Sequence, residues 1–144
     1  MQLPANPPRI FRPFLVAMST PRILENSPFA RIARLVLRSQ SVAMVLGNTV
    51  HLSGARREEF LQDPYWVAHE MCHIRQFREH GFVGFLWKYL IESMRVGYYA
   101  NRFEAEARQA GRDEAHLYAA GRPLPDPAQM HRGARAPGPD SLPS

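Results

Sequence analysis

Proline confines what this chain can fold into. All but one of its thirteen prolines lie before residue 29 or after residue 122, the exception being Pro64. Proline fixes φ and removes a backbone donor, so neither end is expected to supply regular core elements. The packed body is therefore predicted over residues 29–121. A Pro-rich arm precedes it over 1–28, and a Pro/Gly/Arg tail that reads as disordered follows over 122–144. Within the arm, Ile10, Phe11, Phe14 and Leu15 are the residues able to dock on the body. The composition of 45% apolar and 22% charged residues suits a globular domain and excludes a fibrous one. A body this short gains from a bound metal.

The net charge of +5 comes almost wholly from arginine, since Lys88 is the one lysine. These cations are spread along the chain without a base-reading or stacking motif, so nucleic acid is not an expected partner. The single cysteine, Cys72, excludes an internal disulfide and a multi-cysteine zinc knuckle. The run Phe14–Ala17 is too short and too close to proline for a signal peptide. The most apolar stretch, Phe82–Ile91, contains Lys88 and falls short of the ~20 residues that span a bilayer. A cytoplasmic protein without a transmembrane segment is the expectation.

The pattern predicts an α+β fold, mainly α, with one β-hairpin preceding a three-helix core. Ser27 and Pro28 read as N-cap and first residue of a short helix ending near Leu37. Two β-rich runs between Ser41 and Ser53 flank Gly47-Asn48, a two-residue turn whose members both tolerate positive φ. This is the one clear strand signal. Asp63 and Pro64 open the next helix and Gly81 stops it. Trp66, Val67, Ile74 and Phe77 form its apolar stripe, with Arg75 and Glu79 opposite. A second helix is expected over Phe82–Met94, ending near Gly97, with its aromatic residues in the core rather than against a membrane. A third is expected from Asn101 to about Ala120, with Phe103, Ala107, Ala110 and Leu117 on one face.

His69-Glu70-Met71-Cys72-His73 places two imidazoles one helical turn apart on one face, the spacing that lets both hold a single zinc ion. Glu70 stands beside them, where a carboxylate can take a proton from a water activated by zinc. As a plain amphipathic helix, this segment would have to bury two imidazoles and a carboxylate at roughly 1–3 kcal/mol for each unsatisfied group. A third ligand is needed. Glu104, Glu106 and His80 are the candidates. His80 lies seven residues beyond His73, ~10.5 Å along a continuous helix, and can join the same ion only if the helix breaks first. Glu104 has a competing structural role, as a capping-box partner of Asn101 and an i,i+4 ion pair with Arg108. The helical wheel does not separate Glu104 from Glu106, because they flank the apolar stripe on opposite sides. A metzincin requires Gly and His where this chain has Gln76 and Glu79.

The segment Tyr65–Gly111 resembles a small gluzincin-type metallopeptidase domain of the kind called minigluzincin. The matching features are His-Glu-x-x-His-x-x-Gln at 69–76, the aromatic second helix, and Gly97-Tyr98-x-x-Asn101-x-Phe103-Glu104-x-Glu106-Ala107. The resemblance implies a zincin-like core with the HExxH on the active-site helix and a metalloendopeptidase activity toward a peptide or protein substrate. It also implies zinc held by His69, His73 and Glu104. Arg108 stands where the family carries an aspartate, and removes the carboxylate usually found behind the first histidine. Tyr98 is a candidate donor to the oxyanion of peptide hydrolysis. Gln76 is a candidate partner of a ligand or of solvent, Arg102 is a further supporting candidate, and Cys72 reads as a buried structural thiol. The hairpin edge at Val42–Leu52 is suited to binding an extended substrate. Two other classes compete with a zinc hydrolase. One is a catalytically silent zinc protein of structural or assembly role. The other is a DNA-associated protease similar to the SprT-like group, suggested by Glu-Met-Cys-His, by His80-Gly81 and by the positive charge.

Overall fold

The computed structural model describes residues 20–122 and 124. The elements run β1 (Arg22–Leu24), α1 (Pro28–Leu37), β2 (Val42–Leu46), β3 (Thr49–Ser53), α2 (Arg57–Leu61), α3 (Pro64–His80), α4 (Phe82–Val96) and α5 (Arg102–Glu114), with a 3₁₀ turn at Ala115–Leu117. This is an α+β fold, mainly helical. The docking residues foreseen in the arm, Ile10 to Leu15, and the tail beyond 124 lie outside the described residues.

Gly47 sets the hairpin. Leu46 pairs with Thr49 across the turn, and β2 runs antiparallel to β3. Gly47 has φ of +65°, whereas Asn48 does not enter the positive region, so one residue rather than both uses that freedom. Asn48 instead ties neighbouring segments together. Its side chain donates to the Thr20 carbonyl and accepts from Arg78 of α3. Its carbonyl accepts from the Arg22 backbone, which starts β1.

β1 corrects the reading of residues 1–28 as an irregular arm: Arg22–Leu24 form a third strand that no sequence signal marks. It pairs parallel with β3, giving the sheet order β1-β3-β2 and leaving β2 at an edge. Three residues carry no periodicity of their own. Ile23 is held there by packing on the core that Val50, Leu52 and Phe60 build. Phe60 is the buried anchor of the five-residue α2, which is equally too short for a periodic signal.

α1 begins at Pro28 after Ser27, as its cap signal requires. The Ser27 hydroxyl, however, bonds the His51 ring at 2.7 Å rather than the helix end. α3 is capped by Asp63, whose carboxylate accepts from the Trp66 backbone, and it stops at Gly81 with φ of +75°. Its rear face buries Val67, Met71 and Ile74. Arg75, expected on the solvent side, is half-buried and forks onto the Glu114 carboxylate at 2.9 and 3.0 Å. That bidentate pair pins the middle of α3 to the end of α5.

α5 starts at the Asn101 cap, whose side chain accepts from Phe103 and donates to the Tyr89 carbonyl and the Ser93 hydroxyl. It ends at Glu114, earlier than expected, and Tyr118 takes the buried place foreseen for Leu117. The largest departure is α4. Expected to bury its aromatic residues, it buries Phe85 alone, while Phe82, Val83, Trp87, Leu90 and Met94 face outward. No described helix is long and apolar enough to cross a membrane.

Candidate metal centre

Small residues let α3 and α5 approach closely. Cys72 packs against Ala107 and Ala110, and Glu104 sits one turn before Ala107 on the same face. The close approach carries Glu104 against the two histidines of α3. His69 Nε2 lies 3.3 Å from Glu104 Oε2, and His73 Nε2 lies 3.3 Å from Glu104 Oε1. The ligand atoms of His69, His73 and Glu104 all fall within 4.8 Å of one another, a cluster able to hold a metal ion. Glu104 is therefore not a capping partner of Asn101, and no ion pair joins it to Arg108 among the described residues. Arg108 turns away instead, donating to the Tyr99 carbonyl at 2.6 Å with its guanidinium over the Tyr99 ring.

The two glutamates that the wheel could not separate are separated by burial. Glu104 is 4% exposed, whereas Glu106 is exposed and accepts from the Gln76 amide at 2.9 Å. Gln76 itself is fully buried. Its Nε2 also donates to the Phe103 carbonyl, an acceptor only, so its Oε1 must face His73. The contact of 2.8 Å between Oε1 and His73 Nδ1 then requires Nδ1–H as donor, which leaves Nε2 of a neutral ring with its lone pair toward Glu104. One amide thus sets both the tautomer of His73 and the seat of the α5 first turn.

Tyr89, which the motifs did not single out, completes the arrangement by donating to Glu104 Oε1 at 2.6 Å. The available signal was a tyrosine hydroxyl within the mostly apolar stretch 82–91, a group that needs a partner when buried. Burial and the adjacent Glu104 carboxylate push its phenol far above the ordinary range. Burial alone would raise Glu104 too, but the contacts from His69, His73 and Tyr89 outweigh it and hold the carboxyl well below its usual value. Burial lowers His73, yet Glu104, Glu70 and Gln76 together lift it to about 9.

Glu70 is buried beside this cluster. One oxygen, Oε2, has no hydrogen-bond partner, and the same is true of Glu104 Oε2, whose approach to His69 lacks hydrogen-bond alignment. Burial raises the Glu70 carboxyl, partly opposed by the two histidines and by a hydrogen bond from the Trp66 side chain. Unpartnered buried carboxylate oxygens at one spot are expensive unless something cationic or protic joins them.

The cluster opens on one cavity of roughly 460 Å³, walled by α1, β2, α3 and α4. Its polar lining is His69, Glu70, His73, Tyr89, Tyr98 and Glu104, and every other lining side chain is apolar. Tyr98 thus joins the cluster, its phenol raised by burial and by the Glu104 and Glu70 carboxylates. Other candidates stay apart. His80 is exposed, accepting from Lys88 at 3.1 Å, and Arg102 lies over the Phe103 ring. Cys72 is buried, with its thiol pushed up to about 12, which leaves it unreactive at neutral pH. Comparison with known protein families, curated proteins and solved structures finds no match for this chain.

Proposed function

We propose that the protein is a zinc-dependent hydrolase of peptide bonds, with zinc on His69, His73 and Glu104. The observation that carries this reading is the buried Glu70 carboxylate, one oxygen of which has no partner, beside a three-ligand cluster on the floor of an open cavity. Zinc is favoured over harder cations by the two imidazoles, and the 3.3 Å contacts suit the edge of a tetrahedron with ~2.0–2.1 Å bonds. When bound, zinc supplies a Lewis acid and lowers the pKa of a coordinated water. Glu70 accepts the proton of the attacking water and returns it to the leaving amine. In the metal-free site burial raises its carboxyl above the usual value, the direction that favours a proton acceptor. Tyr98 donates to the oxyanion. Tyr89 and Gln76 hold Glu104 and His73 in place, the role that partners of metal ligands commonly have. An extended peptide adds to the free edge of β2, whose residues 42–46 line the cavity. Similarity to gluzincins in the His69–Gln76 and Gly97–Ala107 motifs supports the same reading.

The test is cleavage of a peptide library by zinc-supplemented enzyme. Cleavage that a chelator abolishes and zinc restores is expected; absence of cleavage with zinc bound would favour the silent structural protein. The outward-turned Arg108, which leaves no carboxylate of α5 behind His69, is the observation on that side.

Two further results follow from the electrostatics. His73 must be neutral to bind metal, and its folded pKa of about 9 exceeds the ordinary 6.5. In metal-free protein its charge stabilises the fold fully below pH 6.5, and that contribution is lost as pH rises through 9. Metal affinity runs the other way, rising about tenfold per pH unit between those values because one proton is displaced. Chelator competition at a series of pH values measures it; a flat profile would contradict the assignment. Gln76→Leu is expected to lower zinc affinity by about 10–100-fold. Chelator competition again reads this, with Gln76→Glu, which can still accept from His73 Nδ1, recovering part of the loss.

A further inference from the structure

The two helices that wall the mouth of the cavity both turn apolar faces to solvent. On α4, Val83, Trp87, Leu90 and Met94 are spaced i, i+4, i+7 and i+11, a continuous stripe. It lies opposite Phe85, the residue by which the helix is buried. Val83 is 77% exposed, Trp87 66% and Met94 86%. α1 is likewise turned outward: it buries only Ala30, while Ile32, Leu35 and Val36 are each more than 60% exposed. Ile32, Val36 and Leu90 belong at once to the cavity lining and to the exposed surface, so the two faces meet at the rim of the same cleft.

The charges beside these faces have one sign in excess. α1 and its C-cap carry Arg31, Arg34 and Arg38 and no acid. On α4, Lys88 and Arg95 are exposed, and Glu92, the helix's single acid, is half-buried and lies 4.0 Å from the Arg95 guanidinium, so the excess of positive charge rests mainly on α1 and Lys88. Tyr99 adds an exposed aromatic ring just beyond the helix end. Apolar faces bordered by cations, with an outward tryptophan between them, have the chemistry of helices that lie in the interface of an anionic bilayer. A second copy of the chain would set these cations against their own kind.

We propose that α1 and α4 form a docking surface for an anionic lipid bilayer, on which the protein sits without crossing it and with the cleft rim at the headgroups. This surface stands apart from the metal reading, because no group in it ligates metal.

Sedimentation of the full chain with vesicles tests it, using phosphatidylcholine alone and phosphatidylcholine mixed with phosphatidylglycerol. The chain is expected to sediment with the mixed vesicles, more weakly with the neutral ones and less at high salt, and Trp87 emission should move to the blue. Leu35→Gln, Val83→Gln and Met94→Gln together should reduce partitioning about tenfold or more with helical circular dichroism unchanged. Arg31→Glu with Lys88→Glu should abolish the preference for the anionic vesicles. Binding to neither vesicle, or wild-type binding by the triple variant, would overturn the proposal. So would a dimer in sedimentation velocity that the triple variant dissolves, which would make a second copy the occupant. All arms repeated with chelator should agree.

Discussion

Glu70→Gln is expected to abolish peptide cleavage while leaving fold and zinc content as they are. Glutamine keeps the shape of the side chain but cannot take up the water's proton. Loss of a general base typically costs ~10²–10⁴-fold in rate, enough to bring modest activity below detection. The position also makes the variant structurally mild. Glu70 is buried with one oxygen unpartnered and its ionisation opposed by burial, so a neutral amide removes a desolvation cost there. Thermal stability should therefore hold or rise. Cleavage that survives the substitution would remove Glu70 from the chemistry; lost cleavage together with lost zinc would make it a support of the metal site instead.

The second large effect separates two glutamates two residues apart. Glu104→Ala is expected to loosen zinc strongly, because it removes one of three protein ligands and leaves Tyr89 without its acceptor. Glu106→Ala should leave zinc affinity near wild type, since its carboxylate is exposed and touches the cluster only through the Gln76 amide. Competition against a chelator at neutral pH, run on both variants, gives the comparison. A Glu104→Ala protein that keeps wild-type affinity and loses only a little melting temperature would return Glu104 to the part of a helix-cap residue.

The helix carrying the histidines is legible in sequence because its determinants are local. Asp63, Pro64 and Gly81 mark its ends, and the His69–His73 spacing fixes their common face whatever else the chain does. Glu104 was legible only as one candidate among several. A glutamate three residues after Asn101 satisfies the capping-box pattern, and only the close α3–α5 contact through Cys72, Ala107 and Ala110 turns it inward instead. Gln76 and Tyr89 depend on that same contact. So does Arg75, whose apparent solvent position is filled by Glu114 from an element 39 residues away. β1 and α2 escaped for a different reason: three and five residues are too few for periodicity, and their stability lies in pairing with β3 and in burying Phe60. On α1 and α4 the pattern identifies apolar faces correctly but says nothing of what covers them. Where no other segment among the described residues does, an apolar helix that reads as core stands at the surface.

The central claim is that one metal ion sits on His69, His73 and Glu104. Anomalous diffraction at the zinc edge from crystals of the zinc-supplemented protein addresses it directly. The account predicts a single strong peak within about 2.0–2.2 Å of both histidine Nε2 atoms and one Glu104 oxygen. No peak between these side chains, or a zinc ion there whose third protein ligand is another residue, would contradict it.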